Sequence, residues 1–352
     1  MLHRCDRPLG EAYDVALLDL DGVVYVGAAG VPGASEALAA ASKAGLHLAY
    51  VTNNASRTPS RVAGHLRELG IEVDDRDVVT SAQAAARLLA GRVEAGSKVY
   101  VIGGAGLFAA LEELELRPVQ RIEDEPAAVV SGYHPDLTWR TVSDGAILVR
   151  RGLPWVASNT DASVPTSHGP GPGNGVLVEA VARFAGRRPV VAGKPEPTLF
   201  EETVRRVGGS RPLVVGDRLD TDIEGAVNTG YDSLLVMTGV TGLDELVAAR
   251  PRMRPTYLCA DLAGLGTPQP VPEQADGATR LGGWSAEVSA GALRVDGTGT
   301  VDDWWRVVAT AGWRHLDDTD RPVDVSGIVL PGSVARDGAA GGRERRTGET
   351  PA

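Results

Sequence analysis

The 352-residue chain has only two cysteines, Cys5 and Cys259, too few for a disulfide framework and without the CxxC spacing of a metal knuckle. That scarcity fits a reducing compartment. Long apolar runs are missing as well: nothing approaches the roughly 18 residues of a membrane span. The opening stretch MLHRCDRPLG has no apolar core of the kind a secretory leader needs. Positive charge is in deficit, with 35 Lys and Arg against 46 Asp and Glu and a formal net charge of -11. This argues against a nucleic acid or an anionic membrane as partner, because cationic side chains dominate binding to both. A small anion stays compatible, since it needs only a local positive site. These absences leave a cytoplasmic enzyme or binding protein as the expectation.

What is present is ordinary for a globular protein, 43% apolar and 23% charged. The length implies two or three domains, since single cores stop growing at roughly 250 to 300 residues. Short β-branched runs alternate with Ala/Leu/Glu-rich stretches, which is the pattern of βα units around a parallel sheet and predicts an α/β fold. The strands expected are Val15–Asp19, Leu46–Val51, Val99–Ile102, Ala128–Ser131, Trp155–Ala157, Val190–Ala192, Leu213–Val215 and Ser233–Val236. Helices are expected over Ala34–Ala44, Ser60–Leu69, Ala82–Leu89, Leu137–Val149, Leu177–Phe184, Pro197–Val207 and Asp222–Thr229. No internal repeat is evident.

In open α/β sheets ligands bind at the carboxyl ends of the strands. The first strand ends in Asp19-Leu20-Asp21-Gly22, where residues i and i+2 of an extended chain share a face, so two like charges meet and call for a cation. The second ends in Thr52-Asn53-Asn54, a hydroxyl and free backbone N–H groups ahead of a helix, suited to an anion. A third ends in Gly216-Asp217 with Asp220 and Asp222 close behind, and Lys194 sits in a Gly-Lys-Pro turn upstream of it. Several carboxylates, a hydroxyl and an ammonium are what Mg²⁺-assisted phosphoryl transfer requires.

These four blocks resemble the four motifs of the haloacid dehalogenase (HAD) superfamily of phosphatases, in its NagD-like branch, which carries a large cap between the second and third motifs. The likeness covers roughly Val15 to Gly264. It implies a Rossmann-like core at 1–82 and 189–266 with an inserted α/β cap domain at 83–188. It also implies Asp19 as nucleophile, Asp21 as general acid and base, and Thr52 and the Asn53 amide holding phosphoryl oxygens, with Asn54 beside them. Lys194 would neutralise Asp19 and the phosphate. Mg²⁺ would be the cofactor, held among Asp19, Asp21, Asp217 and Asp222. The substrate implied is a small phosphomonoester, glycerol 3-phosphate ahead of sugar phosphates, nucleotides, pyridoxal phosphate and 4-nitrophenyl phosphate.

Elementary chemistry gives the same tasks. Asp19, charge-paired with a cation and Lys194, can approach a phosphate dianion and attack in line. Asp21 must give a proton to the leaving alkoxide and later take one from water, so it should stand apart from the metal. Each motif alone has a plainer use: Asp-x-Asp-Gly as a strand exit, Thr52-Asn53-Asn54 as a helix cap, Gly-Lys-Pro as a solvated turn, and Asp217 to Asp222 as an acidic helix start. Their order along the chain favours the joint reading.

A rival motif, Gly104-x-Gly106-x-x-Ala109, follows a strand and opens a helix as in a dinucleotide fold, which would suit an NAD-dependent oxidoreductase. It lies inside the chain, no acid-ended strand follows about 20 residues on, and a tight helix-on-strand turn within the cap explains it. A catalytically silent ligand-binding relative would need a lost nucleophile or lysine, and both are present. His168–Leu177 is expected to be a flexible glycine-rich loop beside the cap.

The cap should act as a lid that excludes water and selects the leaving group. It has few aromatics and no basic-aromatic cluster to stack a base, which favours a small hydroxylated leaving group. Asn159 and Asp161, on the segment returning from the cap, would reach that group's hydroxyls or serve as a hinge with Asx turns. After Gly264 a proline-rich linker is expected at 267–280, a tryptophan-bearing module at 281–335 and a disordered tail at 336–352. Those tryptophans offer apolar surface for the core or for a second copy of the chain, so a homodimer stays open.

Overall fold

A computed structural model describes residues 1–166 and 168–331. The tail expected at 336–352 lies outside the described residues.

Six parallel strands form the main sheet, in the order Tyr257–Cys259, Asp232–Val236, Pro212–Gly216, Val15–Leu18, His47–Thr52 and Val78–Thr80. The three strands that carry the acidic and hydroxyl motifs are thus immediate neighbours at its centre, and their carboxyl ends open on one edge. The Val15–Leu18 strand is buried on both faces, as expected of a strand inside a parallel sheet. Its side chains alternate: Ala16 and Leu18 join one apolar core with Leu38 and Leu66, while Val15 and Leu17 join another with Leu89 and Phe200.

A second parallel sheet, of five strands, lies in the inserted region: Val190–Val191, Trp155–Ala157, Ala128–Ser131, Lys98–Ile102 and Arg117–Val119. Val190–Val191 belongs to this sheet, although the resemblance implied that the main core resumes at residue 189. The helices Ser81–Ala90 and Ala105–Glu113 share one apolar cluster with strands of both sheets, Val51 and Val79 on one side and Val101 and Val130 on the other. The segment expected as a loop at His168–Leu177 is instead ordered. Gly169–Pro172 pairs antiparallel with Ser163–Thr166, and the helix Asn174–Ala185 starts three residues earlier than the apolar pattern suggested. Glycine and proline hide such a short strand because they leave no side-chain alternation to read.

The dinucleotide-like glycines have a packing role. A Cβ on Gly106 would lie 2.4 Å from the carbonyl oxygen of Ala55 and 2.6 Å from that of Arg57, so only glycine lets the Ala105–Glu113 helix seat against the loop that follows Thr52. This contact crosses between inserted region and main core, rather than staying within the cap as the sequence suggested.

The stretch 267–280 is not a free linker. Glu273–Ala275 and Ala278–Leu281 are the first two strands of an antiparallel meander continued by Trp284–Ser289 and Ala292–Gly297, followed by the helix Val301–Thr319. Thr300 caps that helix by accepting from the Asp303 N–H at 3.1 Å. Trp304, Trp305 and Trp313 are buried in one cluster with Leu235, Leu246, Val247 and Leu258 of the main core. The Trp313 indole donates to the Leu246 carbonyl at 2.7 Å, and Arg254 pairs with both Asp317 oxygens. Among the described residues no helix is long and apolar enough to cross a membrane.

Candidate active site

Asp19 is the first residue after its strand, and its backbone N–H still donates to the Val215 carbonyl, fixing it beside the neighbouring strand end. Lys194 is buried and donates through Nζ to Asp19 Oδ1 and to Asp222 Oδ1, both at 2.6 Å. Burial alone would lower the lysine pKa, but the two adjacent carboxylates outweigh it and hold the ammonium above its ordinary value. One oxygen each of Asp19, Asp217 and Asp222 lie within 4.8 Å of one another.

The neighbours of these carboxylates are short-range consequences of the fold. Asp217 Oδ2 accepts from the Val240 N–H at 2.6 Å, while Asp217 Oδ1 is buried without a hydrogen-bond partner among the described residues. A buried carboxylate oxygen in that condition is costly unless a cation meets it. Burial, reinforced by the Asp19 charge, pushes the Asp217 carboxyl up to about 6. Asp222 is raised by burial as well, with the Asp19 and Asp217 charges adding and Lys194 opposing. Its segment, Leu219–Ile223, is a π-helical turn leading into the helix Glu224–Thr229, rather than the uninterrupted helix expected from Asp222. Gly22 is required here: its φ is +86°, and a Cβ would fall 2.3 Å from Asp217 Oδ2. Three buried or nearly buried carboxylates, one ammonium and an orphaned oxygen fit a hard divalent cation.

The Asp21 side chain does not join that cluster of carboxylate oxygens. An extended strand would put it beside Asp19, but the chain turns sharply at Leu20 to Gly22, where the Leu20 carbonyl accepts from Val24 and Tyr25. Asp21 opens to solvent at the cleft. Even so, the surrounding protein mass and the Asp19 charge push its carboxyl up to about 6, with Arg57, Lys194 and His65 pulling the other way.

The Thr52 loop serves two purposes. Thr52 Oγ1 accepts from the Asn54 N–H at 3.1 Å, which leaves its own hydroxyl hydrogen to donate. Asn54 Oδ1 accepts from both the N–H and the hydroxyl of Ser56, so the Asn54 side chain builds the turn. The helix that follows starts at Pro59, one residue before the expected Ser60, and is capped by Thr58. Asn53 clamps the lysine segment: its Oδ1 accepts from the Lys194 N–H at 2.8 Å, and its Nδ2 donates to the Lys194 carbonyl at 3.1 Å and to Asp161 Oδ1 at 3.0 Å.

Asn159 is buried, with its Nδ2 donating to the Asn53 carbonyl at 2.7 Å and its Oδ1 accepting from the Asp161 N–H. Both halves of the amide are engaged, so Asn159 braces the loop that carries Asn53. Asp161 is half-buried and raised in pKa by burial, against which the Asn53 amide and Lys194 act. Val240, whose backbone N–H holds Asp217, carried no sequence signal, because any residue but proline supplies that donor.

The arrangement defines a hydrolase of the α/β class whose strand-end carboxylate is paired with a buried lysine. Residues 16–117 match the family described as haloacid dehalogenase-like hydrolase, and residues 191–265 match a HAD-hydrolase-like family. The chain is 41% identical over 338 residues to a D-glycerol 3-phosphate phosphatase of Mycobacterium tuberculosis, covering 91% of this chain and 92% of that one. An acid sugar phosphatase of Staphylococcus aureus is 35% identical over 252 residues, covering 71% of this chain and 95% of its own. A crystal structure of the M. tuberculosis glycerol phosphate phosphatase in complex with magnesium superimposes with a TM-score of 0.81 at 41% identity, over 90% of this chain and 94% of that one. The chain belongs to the haloacid dehalogenase-like hydrolases.

Proposed function

We propose that the protein hydrolyses a small phosphomonoester, D-glycerol 3-phosphate first, through a phosphoryl group carried on Asp19. The observation that carries this reading is the Asp19 carboxylate held 2.6 Å from the buried Lys194 ammonium at a strand end, beside two further carboxylates. An Asp19 oxygen attacks phosphorus, the P–O bond to the alcohol breaks, and the departing alkoxide takes a proton from Asp21. Water then attacks the same phosphorus while Asp21 recovers a proton, and the Asp19–phosphoryl bond breaks to release inorganic phosphate. A raised pKa suits Asp21 to both directions of transfer. Thr52 donates its hydroxyl to a phosphoryl oxygen, and Lys194 keeps Asp19 from repelling the dianion.

Asp19, Asp217 and Asp222 would hold Mg²⁺, which supplies charge neutralisation for the transferring group. The magnesium complex of the M. tuberculosis relative supports that choice of ion. Its D-glycerol 3-phosphate phosphatase name supports the substrate. The test is phosphate release from a panel of phosphomonoesters with and without Mg²⁺. We expect kcat/KM for D-glycerol 3-phosphate to exceed that for nucleoside monophosphates and pyridoxal 5′-phosphate by at least ~10-fold, about 1.4 kcal/mol of transition-state binding. Preference for a nucleotide or pyridoxal phosphate overturns the substrate, and inertness toward the whole panel overturns the reaction.

A further inference from the structure

At the start of the Asn174–Ala185 helix, just after the glycine-rich segment, stands a polar side chain that the proposed chemistry does not use. Asn174 is 2% exposed, at the first turn of that helix. Its Nδ2 donates to the Asn159 carbonyl at 2.7 Å, while its Oδ1 is buried without a partner among the described residues. A buried amide that leaves its acceptor unsatisfied is retained at a cost, so its donor bond is where its use lies.

That bond begins a continuous line. Asn174 holds the Asn159 backbone, the Asn159 amide donates to the Asn53 carbonyl at 2.7 Å, and Asn53 grips both the N–H and the carbonyl of Lys194. Lys194 in turn meets Asp19. The helix start is pressed onto the same loop: the Gly175 N–H donates to the Asp161 carbonyl at 2.9 Å, and a Cβ on Gly175 would lie 2.4 Å from the Thr160 carbonyl oxygen. The helix therefore has one fixed seat against Asn159 to Asp161.

We propose that Asn174 is a positioning residue for the phosphoryl site, acting through Asn159 and Asn53 on the placement of Lys194 and Asp19. The proposal rests on the phosphatase reading. Asn174 touches neither nucleophile nor phosphate, and it is too enclosed to meet a leaving group. Its loss should therefore lower turnover alike for every phosphomonoester, because misplacement of a catalytic group is felt in the chemical step rather than in the choice of alcohol.

The experiment compares wild type, Asn174→Ala, Asn159→Ala and the double variant on D-glycerol 3-phosphate and 4-nitrophenyl phosphate with Mg²⁺. Asn174→Ser serves as a second variant that keeps a polar helix start but falls one bond short of the Asn159 carbonyl. We expect kcat to fall about 10-fold for both substrates in the Asn174 variants, with KM within about twofold. The double variant should lose no more than Asn159→Ala alone, as residues acting in series do. Unchanged kcat, losses that multiply, or a KM rise confined to D-glycerol 3-phosphate overturns the proposal. Orthovanadate with Mg²⁺ is followed in parallel by the rise in Tm, which reads the site without turnover, and its affinity should weaken in the Asn174 variants. Wild type that binds vanadate but hydrolyses no phosphomonoester defeats the phosphatase reading alone. Equal vanadate affinity in wild type and variants defeats the positioning role.

Discussion

Replacing Asp19 with asparagine changes charge while keeping shape, and the geometry sets what should follow. In the wild type three clustered carboxylates face one ammonium, leaving two negative charges uncompensated; the amide leaves one. At an effective dielectric of about 20, the attraction lost between Asp19 and Lys194 at 2.6 Å is about 6 kcal/mol. The repulsion relieved against Asp217 and Asp222, within 4.8 Å, is at least about 3.5 kcal/mol for each. The two effects offset, so metal-free Asp19→Asn should melt within about 3 °C of wild type. Mg²⁺ should separate them, since a divalent ion gains less from a site with one charge fewer, and its rise in Tm should shrink in the variant. Turnover should fall by at least ~10³-fold, because the covalent catalyst is gone. Scanning fluorimetry with and without MgCl₂, paired with phosphate release, reads all three. Turnover within tenfold of wild type, or an equal Mg²⁺ response, refutes the reasoning.

Excess chelator should abolish phosphate release and Mg²⁺ should restore it, with Ca²⁺ a poor substitute because its larger, looser shell misplaces nucleophile and phosphate; full activity in chelator contradicts this. Truncation after residue 270 leaves every site motif in place but uncovers Leu235, Leu246, Val247 and Leu258, each at most 1% exposed. At roughly 1.5 to 3 kcal/mol for each side chain exposed, it should cost at least about 5 kcal/mol, seen as lost soluble yield or a lowered Tm; a truncated chain as stable as the full one counts against it. Glu202 is buried, which pushes its carboxyl up, yet hydrogen bonds from Arg205 and Arg206 outweigh this and hold it below the ordinary value. A depressed folded pKa contributes stability above the unfolded value and loses it as pH falls through the folded one. Wild-type Tm should therefore drop more steeply below about pH 4 than that of Glu202→Gln, and parallel curves would remove this role.

The strand-end acids, Thr52 and Lys194 were legible in the sequence because each lies at a local boundary, where an apolar run gives way to Asp, Thr or Gly-Lys-Pro, and such boundaries are written in consecutive residues. The βα alternation was legible for the same reason, and strands such as Ala128–Ser131 and Trp155–Ala157 fall where the apolar runs put them. Tertiary structure alone decided which of these ends meet. Lys194 reaches Asp19 across 175 residues of chain, and the Asp21 carboxylate stands outside the cluster of Asp19, Asp217 and Asp222 because of a turn its spacing does not reveal. The amide side chains were ambiguous for a further reason: asparagine suits a turn, a hinge or a ligand equally well by composition. Only the partners at 2.7 to 3.1 Å turned Asn53 into a clamp on Lys194 and Asn159 into its brace. The meander after residue 272 was hidden because its strands are short and interrupted by glycine turns, so no periodicity accumulates. Its place on the core depends on apolar surfaces distant in sequence, which become adjacent only when the chain is folded.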